Sequence, residues 1–572
     1  MTRFDLSLSP LRRIPESTRG ILNTLLFAAA SACSAVAFLW LTNLLFSITI
    51  ERLSAGSLLT FLLGSLAVIL ATSVAAGLLM SRFSPQTAGS GVPQLKAAYW
   101  KDLGFVRMRA VVIKFIGGVL TLGGGTSLGR EGPSVFVGGG AASNVAAALG
   151  VPKTGRRPAA ATGAAAALAA AFNTPLAAIT FVLEEMLNNE FGSRVLGGVV
   201  LAAVLGALIV QAFLGRQPAF RLPSVEGVTW LMYLILPVVA VVASLIGVAF
   251  QVLALSLRAR VRQKSRVPAW LRPSCGALVT WIVGCAAFLL TRHIGVFGLG
   301  YSDLSLALNN RLVWRVAGVL VVGKFIATTA SYGWGGSGGI FSPTLFLGGM
   351  TGLFFAGIAG TWIPLTTADK IILAAVGMSA CFNAVVRAPL TALLIVFEMT
   401  HQFSMVPALM VCSIVSQAIA RLGGPHNFYD ALLLQDGHEL IRIHPPRDLE
   451  SWQRLPVSEI ARTRPVVLTD LDRATIERHL ESYPYSRFPV VLDGTLKGIA
   501  SRHDMNAALA AGVTPRMTAP VECSSSMTVR DVGKLLMESS AGIVLVRDQS
   551  SGEVSSVVTL HDILRAQAAL AE

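Results

Sequence analysis

The chain has 572 residues, of which 53% are hydrophobic and only 13% charged. Soluble domains carry about 25% charged residues, so a string of water-facing globules is excluded for most of the length. Basic residues outnumber acidic ones 46 to 31, a net charge of +15, and the six cysteines form no CxxC pair or framework spacing, which reads as small core residues rather than metal, redox or disulfide chemistry.

Taken in chain order, Arg3, Arg12, Arg13 and Arg19 precede a first apolar run over residues 21–50. That run is too long, and its successors too many, for a cleaved leader. Residues 55–80, 195–214 and 230–257 are further runs that reach the roughly 20 apolar residues needed to span a bilayer. Arg258, Arg260, Arg262, Lys264, Arg266 and Arg272 then crowd what reads as one central loop. Lys and Arg clusters beside membrane spans mark cytoplasmic sides and favour anionic lipid. The positive charge therefore belongs to a membrane surface and to an anion's path, not to nucleic acid.

Three Gly-rich segments interrupt the apolar runs: Gly89-Ser90-Gly91-Val92-Pro93, Gly129-Arg130-Glu131-Gly132-Pro133 and Gly338-Gly339-Ile340-Phe341-Ser342-Pro343. Gly and Pro break regular helix and leave N–H groups free, and irregular backbone survives at membrane depth only where it is buried in protein or lines a cavity. Each segment precedes an apolar run, so each predicts a helix N-terminus, and converging N-termini hold an anion without a full cationic charge. Such a hold is weak enough to allow release. Close packing of helices over small residues is the competing reading; three segments, each with a Pro after its last Gly, favour the cradle. Glu131 stands in the middle segment, and a carboxylate at membrane depth marks a functional site. A carboxylate and a halide carry the same charge and suit the same amides, so occupancy is a competition that pH biases.

The apolar region is duplicated. Residues 133–139 reappear as residues 343–349 at an offset of 210, and Pro175 leads to Glu184 as Pro389 leads to Glu398, at an offset of 214. Repeats with interrupted helices point to a transporter whose site lies at mid-membrane between the halves, and that architecture implies inversion. Glu184 and Glu185 are adjacent, so on a helix they point about 100° apart and do not share a role. Composition shifts after about Gly437, and Pro445-Pro446-Arg447 reads as a linker. The tail is itself repeated: Ser501-Arg502-His503-Asp504 matches Thr559-Leu560-His561-Asp562 at an offset of 58. Apolar runs over 488–492 and 542–546, preceded by amphipathic stretches over 473–481 and 529–538, predict a small α/β module present twice.

The segments GSGVP, GREGP and GGIFSP, together with FNTPLAA, NAVVRAPLTA and Phe428-Tyr429-Asp430-Ala431-Leu432, resemble the CLC family of chloride channels and proton-coupled chloride exchangers over about residues 20–436. The tail resembles a pair of cystathionine-β-synthase-type (CBS) modules. The resemblance implies an all-α polytopic membrane protein with inverted repeats and broken helices, followed by a small α/β tandem CBS domain. The expected division is a cytoplasmic tail over 1–20, a transmembrane domain over 21–440 with repeats at about 21–255 and 273–440, a linker and first module over 441–510, and a second module over 511–572.

The resemblance also assigns roles. The Ser90 hydroxyl and the Tyr429 phenol would donate to a central anion, approached by the amides of Ile340 and Phe341. The amides around Arg130, Glu131 and Gly132 would form an outer site. Glu131 would be the gate and external proton acceptor, Glu185 the internal proton acceptor, and Glu184 structural. A serine at 90 goes with chloride, and Pro133 departs from the fluoride-selective branch. Gln94 and Lys96 stand where bacterial relatives often carry acids, which alters charge near the inner vestibule without touching the anion ligands. In the tail, Ser501, Asp504, Thr559 and Asp562 would contact an adenine nucleotide if the modules bind one; a module that steadies a dimer is the other reading.

The function expected is proton-coupled chloride antiport. A passive voltage- or pH-gated chloride channel on the same scaffold is the alternative, and a membrane-anchored nucleotide sensor is a third reading. No Ser/His/Asp set, metal cluster or P-loop suggests an enzyme. No cofactor is required; the partners are chloride, protons, the bilayer and a second copy in a homodimer with one pathway per subunit. The expected location is a bacterial inner membrane, with both termini cytoplasmic.

Overall fold

The computed structural model describes residues 16–187, 193–215, 220, 222, 225, 227–438, 455–463, 465–547 and 553–569; Arg3, Arg12, Arg13 and the Pro445-Pro446-Arg447 linker lie outside them. The chain divides into two compact units, Met1–His444 and Pro445–Glu572.

In the first unit the apolar runs are helices, the one open-ended structure that satisfies every backbone polar group without water. Among the described residues, nine stretches are long and apolar enough to cross a membrane. They are not equally enclosed. The helix Thr367–Val386 is 94% buried along its most apolar window, against 22% for Leu58–Phe83. An inner group of helices is thus wrapped by outer ones that expose Leu59, Leu63, Trp230, Leu234 and Leu290. So much exposed apolar surface suits hydrocarbon rather than water, and the unit is a multi-pass integral membrane protein.

The halves of this unit exchange bonds reciprocally. Glu184 accepts from the N–H groups of Leu390 and Thr391 at 3.0 and 2.9 Å, and from the Thr391 hydroxyl at 2.7 Å. Glu398 accepts from Leu176 and Ala177 at 3.0 and 2.8 Å. Each carboxylate therefore caps the short helix of the other half, Pro389–Thr400 or Pro175–Phe181. Gly129 and Gly339, which are 210 residues apart, exchange both backbone bonds at 2.7 and 2.6 Å in an antiparallel bridge. Equivalent residues that meet each other in this way require a two-fold axis between the halves. Lys114 and Lys324 obey it too: each is fully buried, Lys114 donating to the carbonyls of Thr87 and Gly89 and Lys324 to those of Gly295 and Gly298.

Three expectations are corrected. Arg258, Arg260, Arg262 and Lys264 are not in a loop but in the last turns of the helix Trp230–Lys264. Arg258 lies 2.8 Å from Asp436, and Arg262 also pairs with Asp436; these cations stay helical because they fasten the end of the helix Phe428–Gln435. Glu184 and Glu185 do not continue an α-helix but lie in a π-helical turn, Val182–Met186, where Met186 O accepts from Trp100 Nε1 at 2.9 Å. Of the six cysteines, Cys33 is exposed and Cys275 half-buried, and only the other four are core residues.

Among its described residues, the second unit holds two small sheets. Residues Arg487–Leu492, Thr495–Ser501 and Met517–Thr518 form three antiparallel strands. The other sheet joins Glu522–Ser524, Ile543–Arg547 and Val554–Thr559, with Arg462–Thr463 at its edge. Each apolar run becomes a strand, and each amphipathic stretch a helix, Arg473–Ser482 and Val529–Glu538. The edge strand comes from the first half of the tail and completes the second half's sheet, an exchange that periodicity cannot reveal.

Candidate functional site

The three Gly-rich segments are bound to one another by backbone. Gly89 N–H donates to Gly336 O at 3.1 Å, and Gly338 N–H to Gly89 O at 3.2 Å; the Gly129–Gly339 bridge adds the third segment. Three helices start here: Val92–Lys101, Glu131–Ala148 and Phe341–Ala359. The close approach depends on glycine. Gly91 has φ +108°, and a Cβ there would come within 2.7 Å of Gly132 O. A Cβ on Gly132 would strike the Ser90 hydroxyl.

Glu131 is 1% exposed. Its carboxylate accepts from Ser342 N–H at 3.2 Å, from the Ser342 hydroxyl, and from the Tyr301 hydroxyl at 3.2 Å. It thus lies on the N-terminus of the opposite half's broken helix, where amide and dipole favour negative charge. The amide it uses is that of Ser342, one residue beyond Ile340 and Phe341. The Tyr301 and Ser342 hydroxyl oxygens lie 2.7 Å apart. The guanidinium of Arg130 stacks 5.2 Å from the Tyr301 ring and donates to Ala171 O at 3.1 Å.

Ser90 and Tyr429 are buried, and among the described residues neither hydroxyl has a hydrogen-bond partner, although they are neighbours. Leaving a buried hydroxyl unbonded costs about 1–3 kcal/mol; two such groups side by side make a place for an acceptor. Tyr429 is held edge-on to Phe181, which packs in turn on Phe341. The structure therefore brings Ser90, Arg130, Glu131, Gly132, Ile340, Phe341 and Tyr429 to one region at the junction of the halves.

Glu185, 2% exposed, is not a helix-end carboxylate in water. Its Oε1 lies 2.9 Å from Lys96 Nζ, and its Oε2 accepts from Asn427 Nδ2 at 2.8 Å. Lys96, fully buried, also lies 2.9 Å from Asp430. Asn427 caps the helix Phe428–Gln435 by accepting from Asp430 N–H at 2.8 Å, which fixes Tyr429 and Asp430 in one turn. Lys96 thus does more than alter vestibule charge; it is the direct partner of Glu185. Gln94 caps its own helix, accepting from Gly91 N–H at 2.9 Å.

Sequence reasoning missed Tyr301, Ser342, Asn427 and Asp430. Ser342 stood inside a quoted segment, and Asn427-Phe428-Tyr429-Asp430 carries the Asn-x-x-Asp spacing of a capped helix start. No local signal joins Tyr301 to Glu131, 170 residues away.

In the tail, Ser501 and Asp504 bond each other at a helix start. Asp562 accepts from Thr559 N–H at 3.0 Å, from the Thr559 hydroxyl at 2.6 Å and from Arg462 at 2.8 Å. Burial works against the charge of Asp562, but the bonds from Thr559 and Arg462 prevail and hold its carboxyl below the usual range. These four residues are occupied as helix caps, which weakens their candidacy as nucleotide contacts.

Comparison with known proteins agrees with the geometry. The family model for the voltage gated chloride channel matches residues 72–421, and that for the CBS domain matches residues 457–511 and 513–569. A protein named H(+)/Cl(-) exchange transporter ClcA from Vibrio campbellii is 32% identical over 387 residues, covering 66% of this chain and 81% of that one. Its namesake from Yersinia pestis is 33% identical over 364 residues, covering 62% and 74%. Among solved structures, a slow cyanobacterial Cl-/H+ antiporter superposes with a TM-score of 0.65 at 24% identity, covering 73% of this chain and 97% of that one. A eukaryotic CLC transporter does so with a TM-score of 0.61 at 19% identity, covering 95% and 98%; at these identities both speak for the fold alone. A pair of CBS domains thus follows a membrane unit whose halves meet at broken helices, and the chain belongs to the voltage gated chloride channel (CLC) family.

Proposed function

We propose that this protein exchanges chloride for protons across a membrane, with one pathway in each subunit of a homodimer. One observation carries the reading: a buried carboxylate, Glu131, sits on a helix N-terminus in the same region as two buried hydroxyls, Ser90 and Tyr429, that lack partners among the described residues. An anion at the hydroxyls and a carboxylate at the amide are chemically alike, so one can replace the other. Deprotonated, Glu131 holds the amide of Ser342 and blocks the path; protonated, it loses the charge that keeps it there and yields to chloride. Ser90 and Tyr429 donate to the central anion, with the amides of Ile340 and Phe341 near it, and the amides from Arg130 to Gly132 form the outer position.

Glu185 receives the proton on the inner side. Its Oε1 lies 2.9 Å from the Lys96 ammonium, so the carboxylate is paired with a cation when no proton is bound. The relatives' names, as H(+)/Cl(-) exchange transporters, support the same cargo. The location that fits is the inner membrane of a bacterium, with both termini cytoplasmic. The CBS pair has its Asp side chains engaged as caps, which favours a supporting role over nucleotide sensing.

Chloride efflux from liposomes containing the purified protein, recorded together with pH, tests the reading. An outward chloride gradient should drive protons inward against their own gradient. Chloride movement with no proton movement would instead make the protein a passive channel.

A further inference from the structure

Lys96, Glu185 and Asp430 form a buried row. Lys96 Nζ stands 2.9 Å from Glu185 Oε1 on one side and 2.9 Å from Asp430 Oδ1 on the other. Exposure falls along it: the side chain of Asp430 is 16% exposed, against 0% for Lys96 and 2% for Glu185. Of the three charged groups, only Asp430 reaches solvent to any extent. The ionisable groups acting on Lys96 are Glu185 and Asp430, and the field of Arg387 reaches Asp430. Asn427 holds the other oxygen of Glu185, so the oxygen facing Lys96 is the one that takes a proton.

We propose that protons reach Glu185 through Asp430 and Lys96, with the lysine as the relay between the two carboxylates. The proposal rests on the reading of Glu185 as inner proton acceptor. A hydronium ion protonates the Asp430 carboxylate and leaves as water. Asp430 then passes that proton to Lys96 while the Lys96 ammonium gives one of its three to Glu185. Lys96 ends as an ammonium, Asp430 as a carboxylate and Glu185 as a carboxylic acid, so one proton has crossed the row and nothing else has changed. A direct jump from water to Glu185 has no comparable exposure, since Lys96 and Asn427 cover its two oxygens.

The relay separates from a purely positional role by chemistry. Arginine keeps the charge and both ion pairs but does not give up its proton, whereas lysine does. The test is the number of chlorides moved per proton by full-length protein in liposomes, for wild type, Lys96→Arg, Asp430→Asn and Asp430→Glu. The relay requires that Lys96→Arg and Asp430→Asn raise that ratio on the order of 100-fold, and that Asp430→Glu, which keeps a carboxylate, restore coupling. If Lys96→Arg couples as wild type does, the lysine only positions Glu185 and the relay is wrong. If Lys96→Arg yields no folded protein, Asp430→Asn decides alone, and coupling preserved there overturns the proposal. A wild type that moves chloride without protons defeats the exchanger reading and the relay together, which distinguishes that failure from the relay's own.

Discussion

In the first half of the membrane unit Glu184 reaches across to Leu390 and Thr391; in the second, Glu398 reaches back to Leu176 and Ala177. Their neighbours break the symmetry. At the same offsets Met399 is the counterpart of Glu185, and Phe341 that of Glu131. Where the halves agree, a side chain satisfies backbone: Glu184 and Glu398 cap helices, and Lys114 and Lys324 collect carbonyls. Where they differ, a buried carboxylate stands in one half with an apolar residue at the equivalent place in the other. Duplication thus separates the buried charges that both halves share from those that one half alone carries.

The sharpest way to break this division is Glu131→Gln, which mimics the protonated carboxyl. Proton flux driven by a chloride gradient should fall on the order of 100-fold while chloride still moves, as read by paired chloride and pH recordings. Unchanged coupling would return Glu131 to the scaffold. Next comes the adjacent pair. Glu184→Ala should cost about 2 kcal/mol by stripping the acceptor from two N–H groups, seen as a lower thermal midpoint in detergent. Glu185→Gln should lose proton flux, which Glu184→Ala should keep. Equal behaviour of the two would dissolve the comparison.

Smaller effects sharpen it. Tyr429→Phe removes a hydroxyl that has no hydrogen-bond partner at bonding geometry among the described residues, so stability should hold. Chloride affinity should drop about tenfold, the worth of one hydrogen bond to a charge, in a binding isotherm. Asp562→Asn should leave transport alone and loosen the helix Leu560–Ala569 by about 1 kcal/mol, visible as faster amide hydrogen exchange. The sign with acid follows from the depressed carboxyl. Its stabilisation is present above the unfolded carboxylate value, about 3.9, and is lost as pH falls through the lower folded value.

The sequence by itself determined a good deal. The length and purity of the apolar runs demanded membrane helices, because unpaired backbone is too costly in hydrocarbon. The three Gly-rich breaks located helix N-termini, since glycine and proline act on their own backbone and need no partner. Two offsets, 210 and 214, exposed the duplication, and Glu131 stood out because charge in an apolar stretch is conspicuous. All of these are local or periodic signals.

What only the tertiary structure decided lies between residues far apart in the chain. Lys96 meets Glu185 across 89 residues and Asp430 across 334, so a departure that reads as a change in vestibule charge is the partner of a buried carboxylate. Tyr301 and Ser342 reach Glu131 from 170 and 211 residues away. The basic run after residue 257 reads as a loop by composition, yet it stays helical because Asp436 waits for it. The reason is common to all three. Hydropathy and backbone preference act within a few residues, whereas the worth of a buried charge is set by whichever opposite charge or free N–H the fold brings within about 3 Å.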